Sequence, residues 1–392
     1  MISFKLKALL RSTHFFVFVG FLFCFMIIFF TFPTLFVSSL SYQQGKESVK
    51  QEIEKTQPAQ TKINADPIPL DTVLYDQKML SLANNPPPKK PKTKVVSKKN
   101  KDGTITKSTI TILPPPQKPI IWPAKAPYPN AGAILPFHRI VAYYGNLYSK
   151  SMGVLGQYPP KEMLYRLNAE VEKWNKADPE TPAMLALHYI AVTAQGSPGS
   201  DGKYRFRMPG SEIEKVLKIA SDSNALVFLD VQVGFSNLET ELPLLEKYLK
   251  MSQVHLGIDP EFSMKSGIRP GKVVGTLDAK DINFAASYLA KLVKENNLPP
   301  KVLVVHRYTE NMVTNYKLIK PLPEVEVVMD MDGWGQKANK LSTYQQFVYA
   351  YPVQFTGFKL FYKNDLFEKG TTMFTPEELL KLNPRPIYIQ YQ

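Results

Sequence analysis

Three pairs of polar residues follow apolar runs in this chain, and each pair has the spacing Asp-x-(Gln/Glu/Asp). The pairs are Asp230 with Gln232, Asp259 with Glu261, and Asp330 with Asp332. Side chains two apart on a strand point to the same side, so each pair presents two polar groups together where a strand ends. We therefore expect several strands to deliver acids to one shared mouth.

The chain around these pairs alternates between apolar runs and amphipathic stretches from about Ala131 onward. Near-continuous apolar runs favour buried parallel strands, and amphipathic stretches favour helices. The predicted strands cover residues 138–145, 183–193, 225–233, 254–261, 301–308, 325–332, 355–361 and 386–390. The predicted helices cover residues 160–176, 209–223, 238–250, 278–296, 310–318, 342–349 and 376–382. The pair Asp278 and Asp281 is typical of a capping box at a helix start.

Eight strands alternating with seven helices in roughly 260 residues fit a (β/α)8 TIM barrel, a fold of the α/β class. A doubly wound open sheet is the alternative, since it also alternates strands and helices. In a barrel the active site lies at the carboxyl ends of the strands. The three polar pairs then end the third, fourth and sixth strands and face the same side of the molecule.

Further polar residues end the other predicted strands, and carbohydrate hydroxyls need many such donors and acceptors. They are Tyr144, Gln195, His306, Lys359 and Gln390, with Trp334 in the loop after the sixth strand. The Trp334 indole could stack on a sugar ring or pack on the barrel rim. Together with Asp230 and Gln232, these residues form the predicted substrate-binding set.

The paired acids suggest hydrolysis of a glycosidic bond, which commonly uses two carboxyl groups about 5 to 9.5 Å apart. Glu261 is the predicted general acid, because partial burial and a neighbouring carboxylate both raise a carboxyl pKa. Asp259, Asp330 or Asp332 would remain ionised and activate water or stabilise the oxocarbenium-like state. The competing interpretation is that these acids cap the helices that follow the strands.

The Ile258-Asp259-Pro260-Glu261 segment resembles the Asp-x-Glu arrangement of lysozyme-type glycoside-hydrolase barrels, and that resemblance implies that Glu261 is the proton donor. The chain departs from the largest barrel glycosidase clan, in which a second catalytic Glu ends the seventh strand, because Lys359 lies there. The domain also resembles an uncharacterised family of extracytoplasmic bacterial (β/α)8 barrels with similar Tyr-Tyr-Gly, Ala-Gln-Gly, Leu-Asp-Val-Gln and Asp-Pro-Glu segments. This second resemblance implies fold and location and says nothing about the reaction.

Residue types that metals favour are present, but no His-x-His or His-Glu-x-x-His spacing occurs. We therefore predict no cofactor and no bound metal, and interpret His138 and His188 as structural. A metal-dependent hydrolase with an ion at Asp230, Asp259 and His306 is an alternative.

Residues 15–37 form an apolar run without a charge, long enough to span a bilayer as a helix. Lys5, Lys7 and Arg11 precede it, which predicts that residues 1–14 are cytoplasmic and the remainder extracytoplasmic. We interpret the run as an uncleaved signal-anchor, because it exceeds the usual length of a signal-peptide apolar region, although a cleaved signal peptide is the alternative. The only cysteine, Cys24, lies within this span, so the outer part contains no disulfide.

The formal net charge of +14 is concentrated before the predicted barrel. Residues 1–40 carry +3, residues 41–130 carry +8, and residues 131–392 carry the remaining +3. Nucleic-acid binding by the barrel therefore has no electrostatic support. Residues 38–130 are predicted to be a Pro/Lys-rich linker, mostly disordered, with a possible hairpin turn at Asp102-Gly103. The lysines from Lys89 to Lys101 could meet an anionic polymer, or they could keep the linker solvated.

The sequence thus predicts a single-pass protein of the cell membrane, anchored by the N-terminal helix. Its extracytoplasmic barrel, residues 131–392, would act on a cell-envelope polysaccharide such as peptidoglycan by acid/base chemistry of Glu261, Asp259, Asp332 and Asp330. The alternatives are a non-catalytic carbohydrate-binding or scaffold barrel and a metal-dependent hydrolase. The sequence specifies no oligomeric state.

Overall fold

A computed structural model describes residues 69–114 and 119–392. The predicted cytoplasmic segment and membrane span lie outside these ranges. Within the two ranges, no helix combines the length and the apolar character needed to cross a bilayer.

Eight parallel strands close into a barrel. In chain order the strands are β1 (Lys92–Lys99), β2 (Ile105–Ile112), β3 (Arg139–Gly145), β4 (Ala183–Ala194), β5 (Arg205–Arg207), β6 (Leu226–Val231), β7 (Val254–Ile258), β8 (Leu277–Asp278), β9 (Lys301–Arg307), β10 (Val313–Thr314), β11 (Val325–Met331), β12 (Phe355–Leu360) and β13 (Tyr388–Tyr391). The barrel order is β3, β4, β6, β7, β9, β11, β12 and β13. Because β3 pairs with both β4 and β13, the eight parallel strands form a closed ring, and β5 pairs antiparallel with the end of β4. The barrel prediction is therefore confirmed, and the doubly wound alternative is wrong.

Helices follow the strands on the outside of the barrel. The helices are α1 (Thr72–Ala83), α2 (Val154–Gln157), α3 (Pro160–Ala177), α4 (Gly210–Ser223), α5 (Leu238–Leu249), α6 (Ala279–Asn296), α7 (Lys337–Tyr344) and α8 (Pro376–Leu379). The predicted capping box of α6 is confirmed, because the side chains of Asp278 and Asp281 each accept a backbone N–H of the other's turn. A π-helical turn, Gln345–Tyr349, continues α7.

Residues 310–318 do not form the predicted helix. They form two short 3-10 turns, Glu310–Met312 and Tyr316–Leu318, on either side of β10. Arg307 Nη2 donates to the carbonyls of Glu310 at 3.0 Å and Val313 at 3.3 Å, which an α-helix would use itself. Asn315 adopts a left-handed conformation, with φ of 55°, that ends any helix at that point.

Two apolar cores stabilise the barrel. The larger one fills the space between the outer face of the sheet and the helices. The smaller one fills the barrel interior toward the amino ends of the strands and includes Ile140, Phe228, Val304 and Tyr388. The polar side chains that end the strands lie on the carboxyl side of this core.

Helix α1 closes the amino end of the barrel, although the sequence assigns its residues to the linker. Tyr75 and Met79 are buried in the interior core. Arg385, which precedes β13, holds the end of the helix through a hydrogen bond from Nη2 to Asn84 Oδ1 at 3.2 Å. The buried positions of α1 are four residues apart, from Tyr75 to Ala83, and form a narrow apolar stripe. The Pro/Lys-rich composition on either side of the helix made this stripe hard to recognise in the sequence.

The hairpin prediction is confirmed, because β1 and β2 pair antiparallel across the Asp102-Gly103 turn. Gly103 has a φ of 89°, a conformation that glycine adopts without strain.

Replacing Met79 by Ala should lower the free energy of unfolding by about 2 to 5 kcal/mol, because the substitution leaves a cavity in the interior core. Leu80, on the same helix, is 64% exposed. Leu80→Ala should therefore change stability by less than about 0.5 kcal/mol. Urea unfolding of the two variants checks this, and equal effects would contradict the position of α1 beneath the barrel.

Candidate functional site

The carboxyl ends of the strands gather most of the predicted polar residues into one buried layer of the barrel. None of the following is more than 7% exposed: Tyr144, Asp230, Gln232, Asp259, His306, Asp330, Asp332, Lys359 and Gln390. Charged groups removed from water must be stabilised by hydrogen bonds and opposite charges nearby. The contacts within this layer therefore decide the protonation state of each member.

Two glycines make room for the acids. Asp230 pairs in register with Gly257 of β7, and Asp330 pairs with Gly357 of β12. A Cβ at Gly257 would lie 2.6 Å from Asp230 Oδ1 and 2.4 Å from His188 Nε2. A Cβ at Gly357 would lie 2.5 Å from Asp330 Oδ1. These carboxylates can lie inside the barrel because the adjacent strand carries no side chain there.

Gln232 connects the first two polar pairs. Its Nε2 donates to Asp259 Oδ2 and to the Tyr144 hydroxyl, both at 3.2 Å. Its Oε1 accepts the backbone N–H of Ala194 at 3.0 Å. Tyr144 in turn donates to Asp230 Oδ2 at 2.9 Å. The ends of β3, β6 and β7 are thus brought together in one network.

Asp259 caps the turn that follows β7. Its Oδ1 accepts the backbone N–H of Glu261 at 3.0 Å, at the start of the 3-10 turn Pro260–Phe262. This is the capping role considered as the competing interpretation, here within the polar layer itself. Because Gln232 bonds the other oxygen, Asp259 is occupied in positioning Glu261.

His306 lies at the centre of the third pair. Its Nδ1 is 3.3 Å from Asp330 Oδ2 and 3.2 Å from Asp332 Oδ2. Lys359 Nζ lies 2.9 Å from Asp332 Oδ1 and 3.9 Å from the centre of the Tyr144 ring. Asp332 therefore lies between two basic groups.

The acids of the layer differ in charge. Burial raises the pKa of Asp259 well above its ordinary value, and burial also raises the pKa of Asp330. Burial would raise the pKa of Asp332 too, but the charges of Lys359 and His306 outweigh it and lower that pKa. Of the three aspartates expected to be ionised, Asp332 is the one whose surroundings favour the anion.

Glu261 is more exposed than the four aspartates of the layer. Burial raises its pKa, and the negative charge of Asp332 raises it further. The Tyr308 hydroxyl hydrogen-bonds Glu261 and opposes this shift. Glu261 and Asp332 are therefore neighbours whose pKa values move in opposite directions.

His188 belongs to the same layer, although its mid-strand position favoured a satisfied core histidine. Its Nδ1 lies 2.6 Å from the Tyr388 hydroxyl, but its Nε2 has no hydrogen-bond partner and lies 3.4 Å from Asp230 Oδ1. Strand β4 has 12 residues, and its register places His188 beside Tyr144 at the end of β3. The register between β3 and β4 is the signal that could identify His188 as a residue of the layer, but the sequence alone does not give that register.

The remaining predicted residues are divided between the layer and its surroundings. Gln390 is buried in the layer and donates from Nε2 to the Tyr388 hydroxyl at 2.9 Å. Gln195 is half-buried after β4, where its backbone N–H donates to the carbonyl of Tyr204 at 2.9 Å. Trp334 is 62% exposed, so its indole faces solvent and is not packed on the rim.

Three side chains of the layer have metal-ligand spacing. One ligand atom from each of His188, Asp230 and His306 lies within 4.8 Å of the other two. The metal alternative drawn from the sequence used Asp259 in place of His188. The hydrogen bonds of Asp259 to Gln232 and to the N–H of Glu261 turn it away from this group.

Comparison with known proteins returns solved structures of low similarity. No protein-family model and no curated protein matches the chain. The Bacillus subtilis mannanase BCman is 10% identical over 57% of this chain and 74% of its own, with a TM-score of 0.31. A ruminal GH26 endo-β-1,4-mannanase is 11% identical over 74% of this chain and 68% of its own, with a TM-score of 0.32. The strand pairing, not these matches, establishes the (β/α)8 barrel, and mannan hydrolysis is a property of those two proteins.

Replacing Gly257 by Ala should destabilise the protein by roughly 1 to 3 kcal/mol, because the new methyl group would overlap His188 and Asp230. Gly196 is the matched control, since a Cβ there would meet nothing within 4 Å. Gly196→Ala should shift stability by less than about 0.5 kcal/mol. Urea unfolding distinguishes the two, and a neutral Gly257→Ala would contradict the tight packing of the polar layer.

Proposed function

We propose that this protein is a glycoside hydrolase whose barrel mouth cleaves a polysaccharide of the cell envelope. The observation that carries the proposal is the opposed surroundings of two carboxyl groups: Lys359 Nζ lies 2.9 Å from Asp332 Oδ1 and lowers the pKa of Asp332, whereas burial raises the pKa of Glu261. Two carboxyl groups whose surroundings separate their pKa values are suited to the roles of acid and base. Glycosidic hydrolysis requires such a pair.

In the proposed mechanism Glu261, kept protonated by burial and by the charge of Asp332, donates its proton to the leaving glycosidic oxygen. Asp332, kept ionised by Lys359 and His306, stabilises the positive charge that develops on the sugar ring or activates the attacking water. Asp259 holds the turn that carries Glu261. The acid is therefore positioned by the hydrogen bond from its backbone N–H to Asp259 and kept neutral by burial and by the charge of Asp332.

The exposed indole of Trp334 supports a polymeric substrate. It lies in the loop that follows Asp332, and an aromatic ring presented to solvent can stack on a sugar ring. The polar atoms of Gln195 and Tyr308 around the mouth would bind further hydroxyls.

A cell-envelope substrate agrees with the proposed location of the protein. The uncharged apolar run of residues 15–37 and the basic residues before it support a signal-anchor with the barrel on the extracytoplasmic side. Peptidoglycan is a polymer that such a domain would meet.

The second candidate function is carbohydrate binding without hydrolysis. The pairing of Asp332 with Lys359 favours it, because this lysine stands where the largest barrel glycosidase clan has its second catalytic glutamate. A barrel of this kind would bind the polysaccharide through the same mouth and release no products.

Replacing Glu261 by Gln should reduce hydrolysis at least about 100-fold, because the amide cannot protonate the leaving oxygen. Glu172, exposed on α3, provides a matched control, and Glu172→Gln should retain wild-type activity. The measurement is release of reducing ends from purified peptidoglycan by the full-length chain. Full activity of Glu261→Gln would refute the assignment of the acid.

The same experiment separates the two candidates. Binding of peptidoglycan by the wild-type protein without any release of reducing ends would support the non-catalytic barrel and refute hydrolysis.

A further inference from the structure

The side chains of His188, Asp230 and His306 converge on one point inside the barrel. Asp230 Oδ1 lies 3.4 Å from His188 Nε2 and 3.6 Å from His306 Nε2. All three side chains are completely buried. None of these three atoms has a hydrogen-bond partner among the residues that the structure describes. Buried polar atoms are normally paired, so three unpaired atoms that face one another indicate a missing common partner.

The separations fit a metal ion better than hydrogen bonds. An N–H···O hydrogen bond usually spans 2.7 to 3.2 Å, so both Nε2 to Oδ1 distances are too long. A tetrahedral zinc ion with bonds of about 2.0 to 2.1 Å separates its ligand atoms by roughly 3.3 to 3.4 Å. The observed separations are close to this ligand-to-ligand distance.

The opposite end of each side chain is held by a second group. His188 Nδ1 lies 2.6 Å from the Tyr388 hydroxyl, and Asp230 Oδ2 accepts from Tyr144 at 2.9 Å. His306 Nδ1 lies 3.3 Å from Asp330 Oδ2 and 3.2 Å from Asp332 Oδ2. Metal-bound histidines almost always donate their other ring N–H to a carboxylate or another oxygen, which fixes the ring and the tautomer. These contacts leave Nε2 of each neutral histidine and Oδ1 of Asp230 free to bind an ion, and the charge of that ion then takes the place of a protonated His306 near Asp332.

Space and charge agree with this arrangement. Gly257 leaves the room beside His188 Nε2 and Asp230 Oδ1 that any other residue would fill. Asp230, a carboxylate between two imidazole rings, supplies the opposite charge that a dication requires.

We propose that His188 Nε2, Asp230 Oδ1 and His306 Nε2 bind one divalent transition-metal ion with the ligand preference of zinc. Imidazole nitrogen and carboxylate oxygen are ligands that zinc accepts, and three protein ligands leave a fourth position for water or a substrate oxygen. The site does not rest on the proposed hydrolysis, because it is tested by metal binding alone. A failure to bind metal would not refute the proposed hydrolysis, and a failure to hydrolyse polysaccharide would not refute the metal site.

The test uses the untagged full-length protein, stripped with a chelator and titrated with Zn²⁺. The wild type should bind about one ion per chain, and Zn²⁺ should raise its melting temperature. Asp230→Asn should weaken binding on the order of 100-fold, and Tyr388→Phe, which removes the hydroxyl that contacts His188 Nδ1 and Gln390 Nε2, by roughly 10-fold. Substitution by Co²⁺ should give the visible absorption of a tetrahedral site in the wild type.

His255 provides the matched control. It is also a buried histidine of the barrel interior, but its Nδ1 accepts the backbone N–H of Val302 at 3.0 Å and it lies outside the three-residue group. His255→Gln should keep wild-type zinc affinity and stoichiometry.

X-ray absorption spectroscopy of the zinc-loaded wild type identifies the ligands of the ion directly, so the test does not depend on whether a ligand variant folds. Two imidazole ligands to zinc are expected. Zinc binding below about 0.1 ion per chain, a spectrum without imidazole ligands, or wild-type affinity in folded Asp230→Asn would overturn the proposal.

Discussion

The burial of acidic groups inside a closed barrel is the constraint on which the rest of the structure depends. Asp230, Asp259, Asp330 and Asp332 are nearly inaccessible to water, and an ionised carboxylate in such surroundings costs several kcal/mol unless it is paired. The protein meets this cost in two ways. Asp332 is stabilised as an anion by Lys359 and His306, whereas burial favours the neutral form of Asp259 and Asp330. The chemistry proposed for Glu261 follows from this division, because the charge retained on Asp332 helps to keep Glu261 protonated.

The same constraint explains features remote from any reaction. Gly257 and Gly357 are required because the acids point across the strand pairing into the barrel. Helix α1 and the interior core close the opposite end, so the polar layer has access to water only through the mouth. The barrel therefore separates an apolar half that provides stability from a polar half that provides function, and α1 is part of the first.

The alternation of apolar runs with amphipathic stretches was sufficient to predict the barrel and most of the polar layer. Residues at strand ends, such as Asp230, Asp330 and Lys359, could be placed because the carboxyl ends of parallel strands lie at one end of a barrel. His188 could not, since its height in the barrel depends on the stagger between β3 and β4, which no single strand encodes. The turn after β9 was predicted as a helix because the apolar pattern does not show that the Arg307 side chain binds the carbonyls of Glu310 and Val313, which a helix would use for its own hydrogen bonds. Helix α1 was not predicted either. Its short apolar stripe is recognisable as a helix face only from the interior core that it covers.

The central claim is that the layer holds Glu261 protonated and Asp332 ionised over the same pH range. Direct titration of the two carboxyl carbons by NMR in the full-length protein tests it. The account predicts that Glu261 titrates above the ordinary glutamate value of 4.5 and Asp332 below the ordinary aspartate value of 3.8. A Glu261 that titrates at or below 4.5, or an Asp332 that titrates above Glu261, would contradict it.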